Sequence, residues 1–125
     1  MPIYYSGQKY TIEITEDGLS SRREAESCVP SNKKACIAQH IALIKRLADI
    51  GELKSPEQFR HEGEGVWAVK ARCGLRAYGW YHGSRRGVFV ISHFLLKKQQ
   101  KLDRRDLDRA KRNREQYENS GDDND

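Results

Sequence analysis

The sequence predicts an α+β fold in which a small antiparallel sheet of about four strands is packed by one or two N-terminal helices and followed by a basic C-terminal helix. Three observations carry that expectation. Three β-forming runs between residues 66 and 94 are separated by glycine-containing turns of hairpin length. An apolar stripe with helical spacing runs from Lys33 to Ile50. A cation-rich segment after Asp103 places Leu107, Ala110 and Tyr117 on one helical face.

Each element has a local reason. Lys9 to Thr15, KYTIEIT, alternates polar with apolar residues and predicts the first strand, with Ile3 to Tyr5 placed to pair with it across Ser6-Gly7. Asp17-Gly18 reads as its stop, and Leu19 to Ser31 is polar, with weak helical character near Arg22 to Ser27 and a terminator at Pro30. In the main helix Ile37, Ile41, Ile44 and Ala48 share a face that Cys36, Leu43, Leu47 and Ile50 widen, and Gly51 is the natural stop. Leu53 to Gly65, with Pro56 and its glycines, reads as an irregular crossing back to the sheet. Val66 to Ala71, Leu75 to His82 and Val88 to Phe94 then predict an antiparallel meander. Asp103 is placed to cap the last helix, Arg104 to Tyr117, with Asp106 three residues on and Leu102 and Leu107 flanking its start. A single domain over residues 1–117 is expected, with 118–125 an acidic disordered tail.

The charge is unevenly spread. Residues 66–117 carry 14 Lys and Arg against 4 Asp and Glu, whereas residues 1–65 carry 9 against 10, so the formal net charge of +5 conceals a C-terminal half near +10. Such asymmetry favours a polyanionic partner. No apolar run approaches membrane-spanning length, and the N-terminus has no long apolar core behind a cationic start, so a cytoplasmic protein without membrane contact is expected. Cys28, Cys36 and Cys73 form no CxxC pair, and their odd number argues for a reducing compartment, with the cysteines as small core residues. Cys36 and His40 lie four apart on a helix, but two ligands are too few for zinc, so neither metal nor other cofactor is expected.

Register decides what the cationic hairpin can do. If Arg72-Cys73-Gly74 forms a three-residue turn with Gly74 in the left-handed region, Lys70 stands opposite Arg76. Lys70, Arg76, Tyr78, Trp80 and His82 then share one face, while Trp67, Val69, Ala71, Leu75, Ala77 and Tyr81 lie beneath the main helix. Directly opposed cations are unfavourable on a sheet unless an anion lies between them. Cations beside flat rings suit single-stranded RNA, whose phosphates take the charge and whose bases stack. Tyr78 and Trp80 are the expected stacking residues, and Arg72, Lys97 and Lys101 the expected phosphate contacts.

The segments VWAVKA, LRAYGWY and HFLLKKQQKLDRRDLDRAKRNREQY resemble the RelE/ParE toxin superfamily, and more narrowly its HigB-like, phage-derived branch. That branch typically shows LWELR, YRxxY and HxFxKKxxKxPxxEIxxAxxR. The likeness covers Val66 to Tyr117. Ala68 and Lys70 stand where the branch has Glu and Arg, Leu95 replaces its phenylalanine, Asp103 its proline, and Asp106-Leu107 its Glu-Ile. The resemblance implies a RelE-like fold and the toxin of a type II toxin-antitoxin system, one that cuts mRNA at the ribosome without metal. A small helix-turn-helix antitoxin is the implied partner. In such chemistry the ribose 2′-hydroxyl attacks its neighbouring phosphate, leaving a 2′,3′-cyclic phosphate and a free 5′-hydroxyl. A lysine of lowered pKa serves as base, an arginine clamps the phosphate, and another cation or histidine protonates the leaving oxygen. Lys70 is expected as base or phosphate anchor and Arg76 as clamp, with His93, Lys97 and Lys98 as acid or phosphate contacts. Two other classes remain open: a ParE-like inhibitor of DNA gyrase, and a nucleic-acid-binding module without catalysis.

Overall fold

The computed structural model describes residues 2–97 and 103–121. A hairpin of β1 (Ile3–Ser6) and β2 (Thr11–Ile14) leads into α1 (Glu16–Ser27), a short 3-10 turn (Ser31–Lys33) and α2 (Ala35–Ile50). Four strands follow, β3 (Phe59–Gly63), β4 (Val66–Lys70), β5 (Leu75–Tyr81) and β6 (Val88–Leu96), and then α3 (Arg104–Gly121). The six strands form one sheet in the order β1-β2-β6-β5-β4-β3.

The fold is α+β as expected, but the sheet has six strands rather than about four and is mixed rather than antiparallel. β2 runs parallel to β6, with Thr11 opposite Val88 and Ile14 opposite Ile91. β3 supplies the extra edge within the stretch read as irregular. Its sequence, FRHEG, lacks an apolar alternation because only Phe59 faces the core, and an edge strand with one covered face needs no more. Among the described residues no helix is long and apolar enough to cross a membrane.

The two faces of the sheet are covered differently. On one face α2 packs Leu43, Ile44, Leu47 and Ala48 against Ile12, Ile14, Val69, Leu75, Ala77, Phe89, Ile91 and Phe94. The buried stripe is rotated from the expected one: Ile37 and Ile41 are half-buried and Ile50 is exposed, while His40 is buried. His40 earns its place with a 2.9 Å hydrogen bond from Nε2 to the Val69 carbonyl, and burial lowers its pKa to about 4. Gly51 closes α2 in the left-handed region, φ 84°, as the sequence implied.

The other face is covered by α3, through Leu107 and Ala110 against Val66, Ala68 and Tyr78. So short an apolar stripe is supplemented by polar ties from end to end. Arg109 and Asn113 donate to Asp17, at 2.8 Å (Nε) and 2.9 Å, Tyr117 donates to Glu13 at 2.6 Å, and Trp80 Nε1 donates to Glu118 at 2.7 Å. The helix therefore passes the expected end at Tyr117, and Glu118, read as the start of a tail, accepts from the sheet; residues 122–125 lie outside the described part.

Two further expectations are corrected. Asp17-Gly18 does not stop the chain but lies in the first turn of α1, capped by Thr15 Oγ1, which accepts from Gly18 N at 2.9 Å. Glycine is there for proximity: a Cβ at residue 18 would lie 2.5 Å from Ile14 Cγ1. Cys36 and Cys73, read as separate core thiols, form a disulfide, and Cys28 is exposed. They stand 37 residues apart, and the first turn of α2 meets the β4–β5 turn only in the folded chain, so no spacing in the sequence marks the pair. The premise of unpaired thiols behind the cytoplasmic expectation is thereby removed.

Candidate functional site

The β4–β5 hairpin has the expected register. Lys70 pairs with Arg76, Ala68 with Tyr78 and Val66 with Trp80. Ala71 N donates to Leu75 O at 2.9 Å, leaving Arg72-Cys73-Gly74 as a three-residue turn with Gly74 at φ 102°. Gly74 is required twice over, because a Cβ there would also collide with the carbonyl of Lys97. That close approach, with Lys97 N donating to Gly74 O at 2.8 Å, brings the end of β6 against the turn.

Beside this turn lies a cleft of about 1010 Å³. Its lining includes Lys70, Arg72, Arg76 and Lys97 from the expected set. It also includes three cations the sequence reading missed: Lys33, from the turn between the first two helices, Lys54, and Arg60 from β3. Glu57 is the one acid among these described lining residues, so seven cations face a single carboxylate. No periodicity marks Lys33, which ends a three-residue 3-10 turn, or Lys54, which lies in a loop; the available signal was that the segment 53–60 had to return alongside β4. Gln58 O accepts from Lys70 N at 2.8 Å, which fixes that loop against the hairpin.

Lys70 and Arg76 are almost fully buried, at 9% and 3% exposure. Burial first, and the neighbouring Arg76 charge second, lower the Lys70 ammonium below the usual lysine range. This is the direction a proton-accepting amine needs.

The rest of the expected site is arranged otherwise. Tyr78 and Trp80 do lie on the same face as Lys70 and Arg76, but α3 buries them, so neither ring is available to stack on a base. Sequence reading could not distinguish a face open to solvent from one roofed by the final helix, because the roof is held largely by polar side chains. His93 is likewise wholly buried and does not line the cleft. It stacks on Tyr78 with ring centroids 5.2 Å apart; Nδ1 lies 2.8 Å from Ser92 Oγ and Nε2 3.4 Å from Asp106 Oδ1. Asp106 also lies 3.8 Å from Lys97 Nζ, so the first turn of α3 reaches both residues. His93 therefore lies behind the cleft and not among its described lining residues. Lys98 and Lys101 lie outside the described residues.

His82, at the other end of the hairpin, serves the next turn: its Nδ1 accepts from Ser84 N and Arg85 N, each at 3.1 Å. Among the described residues no group of three or more His, Cys, Asp or Glu is placed to hold a metal ion. The cleft as built can bind an extended anion, and it places a lysine of lowered pKa opposite an arginine. No protein-family model matches this chain, and no curated protein matches it significantly.

Proposed function

We propose that the protein is a RelE/HigB-like toxin that cuts mRNA at the ribosome without a metal, with Lys70 and Arg76 at the centre of its site. The observation that carries the reading is their direct pairing, almost fully buried, on the wall of a cleft with seven cations and one acid. A like-charge pair is unfavourable in an empty sheet and favourable around a phosphate. In its unprotonated form Lys70 takes the 2′-hydroxyl proton, Arg76 holds the phosphate as its fifth bond forms, and the departing 5′-oxygen takes a proton from Lys97. Asp106 and His93 set the position of that last group. A helix-turn-helix antitoxin would neutralise the protein by occupying the cleft.

The test is induction in a bacterium with translation and mRNA integrity followed in time. The native chain should arrest growth with cleaved mRNA, and Arg76→Ala should abolish both. Growth arrest with intact mRNA, or arrest by Arg76→Ala equal to the native chain, would rule the nuclease out. A nucleic-acid-binding module without catalysis is the second reading. It is favoured by the burial of His93 and Tyr78, which leaves the described lining of the cleft without a histidine or tyrosine as proton donor. It expects salt-dependent RNA binding with no product.

A further inference from the structure

The Cys36–Cys73 disulfide belongs to the cleft. Cys73 is itself a lining residue, between Arg72 and Gly74 in the β4–β5 turn. At the other end of the bond Cys36 lies in the first turn of α2, and Pro30, Lys33 and Gln39, which flank it in sequence, line the cleft as well. One covalent bond thus joins two segments of the lining, one carrying Lys33 and the other Arg72. Both cations are exposed and have no acid within ion-pair distance among the described residues, so their charge is available to a ligand.

Each segment keeps its own frame without the bond. The hairpin is closed by Ala71 N donating to Leu75 O at 2.9 Å and tied to the end of β6 by Lys97 N donating to Gly74 O at 2.8 Å. On the other side Val29 is buried before Lys33, and His40 is held by Val69 O one turn beyond Cys36. Between those two anchors the ties are few. Neither the 3-10 turn nor α2 has a side-chain cap at its N-terminus, the exposed Lys34 Nζ donates to Glu26 O at 3.1 Å, and Leu43, Ile44, Leu47 and Ala48, which seat α2 on the sheet, lie in its later turns. What the bond adds is a fixed spacing between Lys33 and Arg72.

We propose that the Cys36–Cys73 pair is a redox switch on anion binding. Oxidised, it holds Lys33 and Arg72 where both engage one polyanion; reduced, it lets the two segments move apart. The inference rests on the nucleic-acid reading of the cleft and adds its regulation. The reductant is a dithiol. Its thiolate attacks Sγ of Cys73, the partly exposed partner, and forms a mixed disulfide as the bond to Cys36 breaks. Cys36 leaves as a thiolate in the first turn of a helix, where negative charge is favoured. The second thiol of the reductant then displaces Cys73, so that the dithiol becomes a disulfide and the protein gains two electrons and two protons as two thiols. A disulfide oxidant runs the same exchange backwards.

The experiment is equilibrium binding of the full chain, carrying Cys28→Ser to remove the exposed free thiol, to a fluorescein-labelled mixed-sequence RNA of about twelve residues. Affinity is measured before and after dithiothreitol, with circular dichroism on the same samples. Reduction should weaken binding about tenfold, the worth of one charge-assisted contact, and flatten the log–log salt slope by about 0.7. Reoxidation should restore both, and the helical signal should stay constant throughout. The Cys36→Ser, Cys73→Ser double variant should bind like the reduced chain and ignore the dithiol. Lys33→Ala should weaken the oxidised chain about tenfold and the reduced chain less than about twofold, because the two changes remove the same contact. Unchanged or tighter binding after reduction, an equal effect of Lys33→Ala in both states, or a weakening accompanied by loss of helix each overturns the switch and leaves the nucleic-acid reading standing. Failure of the oxidised chain to bind at low salt overturns both.

Discussion

Lys70 meets two costs, loss of water and the opposed Arg76 charge, that nothing in the fold requires. Its pKa is lowered on folding, so the unfolded chain binds the extra proton and stability rises as pH climbs through the folded value towards 10.5. Lys70→Met keeps the packing of the stem and removes the charge. Its Tm by calorimetry should rise, by up to about 4 °C given up to about 1 kcal/mol for a like-charge pair, and on the proposed nuclease reading RNA cleavage should be lost; a lower Tm would show the ammonium to be stabilising. His40 illustrates the acid side. Its folded pKa of about 4 lies below the ordinary histidine value of 6.5, so stability is lost as pH falls through that window, by about 3 kcal/mol on reaching pH 4. Glu13 and Asp17 act at lower pH. Burial raises both carboxyls, but hydrogen bonds from Arg85 and Tyr117 on Glu13, and from Arg109 and Asn113 on Asp17, outweigh it and leave both lowered. Urea unfolding at pH 7 and pH 4.5 should therefore differ, and His40→Gln should shrink most of the difference.

At the scale of elements, α3 is the piece that sequence reading placed correctly and understood least. Its boundaries near Arg104, its cap at Asp103 and its Leu107–Ala110 face were legible from capping chemistry and spacing. Its docking was not, because the ties fall on Asp17, Glu13 and Trp80, far away in sequence and marked by no pattern. The same limit hid the cleft's second set of cations on Lys33 and Lys54. The hairpin register, by contrast, was legible because one glycine and one turn length determine it locally. α3 depends on polar clamps, and a hydrogen bond to a charged group contributes about 1.5–3 kcal/mol. Tyr117→Phe, which deletes the donor to Glu13, should therefore speed amide exchange in the last turns of α3 by about tenfold or more and leave β5 and β6 unchanged. Equal acceleration in the sheet would mean that α3 and the sheet open together.

For the whole molecule, the Cys36–Cys73 bond joins the first turn of α2 to the turn that forms the cleft wall, closing a 37-residue separation. By the chain-entropy relation such a link contributes roughly 4 kcal/mol through the unfolded state. Denaturant unfolding with and without a dithiol reductant should show a loss of that order, reproduced by the Cys36→Ser, Cys73→Ser double variant. Hydrogen exchange should rise first at Arg72 to Gly74. The parallel seam between β2 and β6 has a consequence for biosynthesis. Thr11 waits for Val88, and Thr15 Oγ1 finds the Ser92 carbonyl across 77 residues. The β1–β2 hairpin, which precedes every other described element, is thus among the last pieces to be sealed, and the sheet has a central gap until β6 has emerged. A nascent chain stalled before residue 88 has neither Lys97, the cleft lysine that follows β6, nor a partner for β2, so such copies are expected to be open-edged and readily degraded.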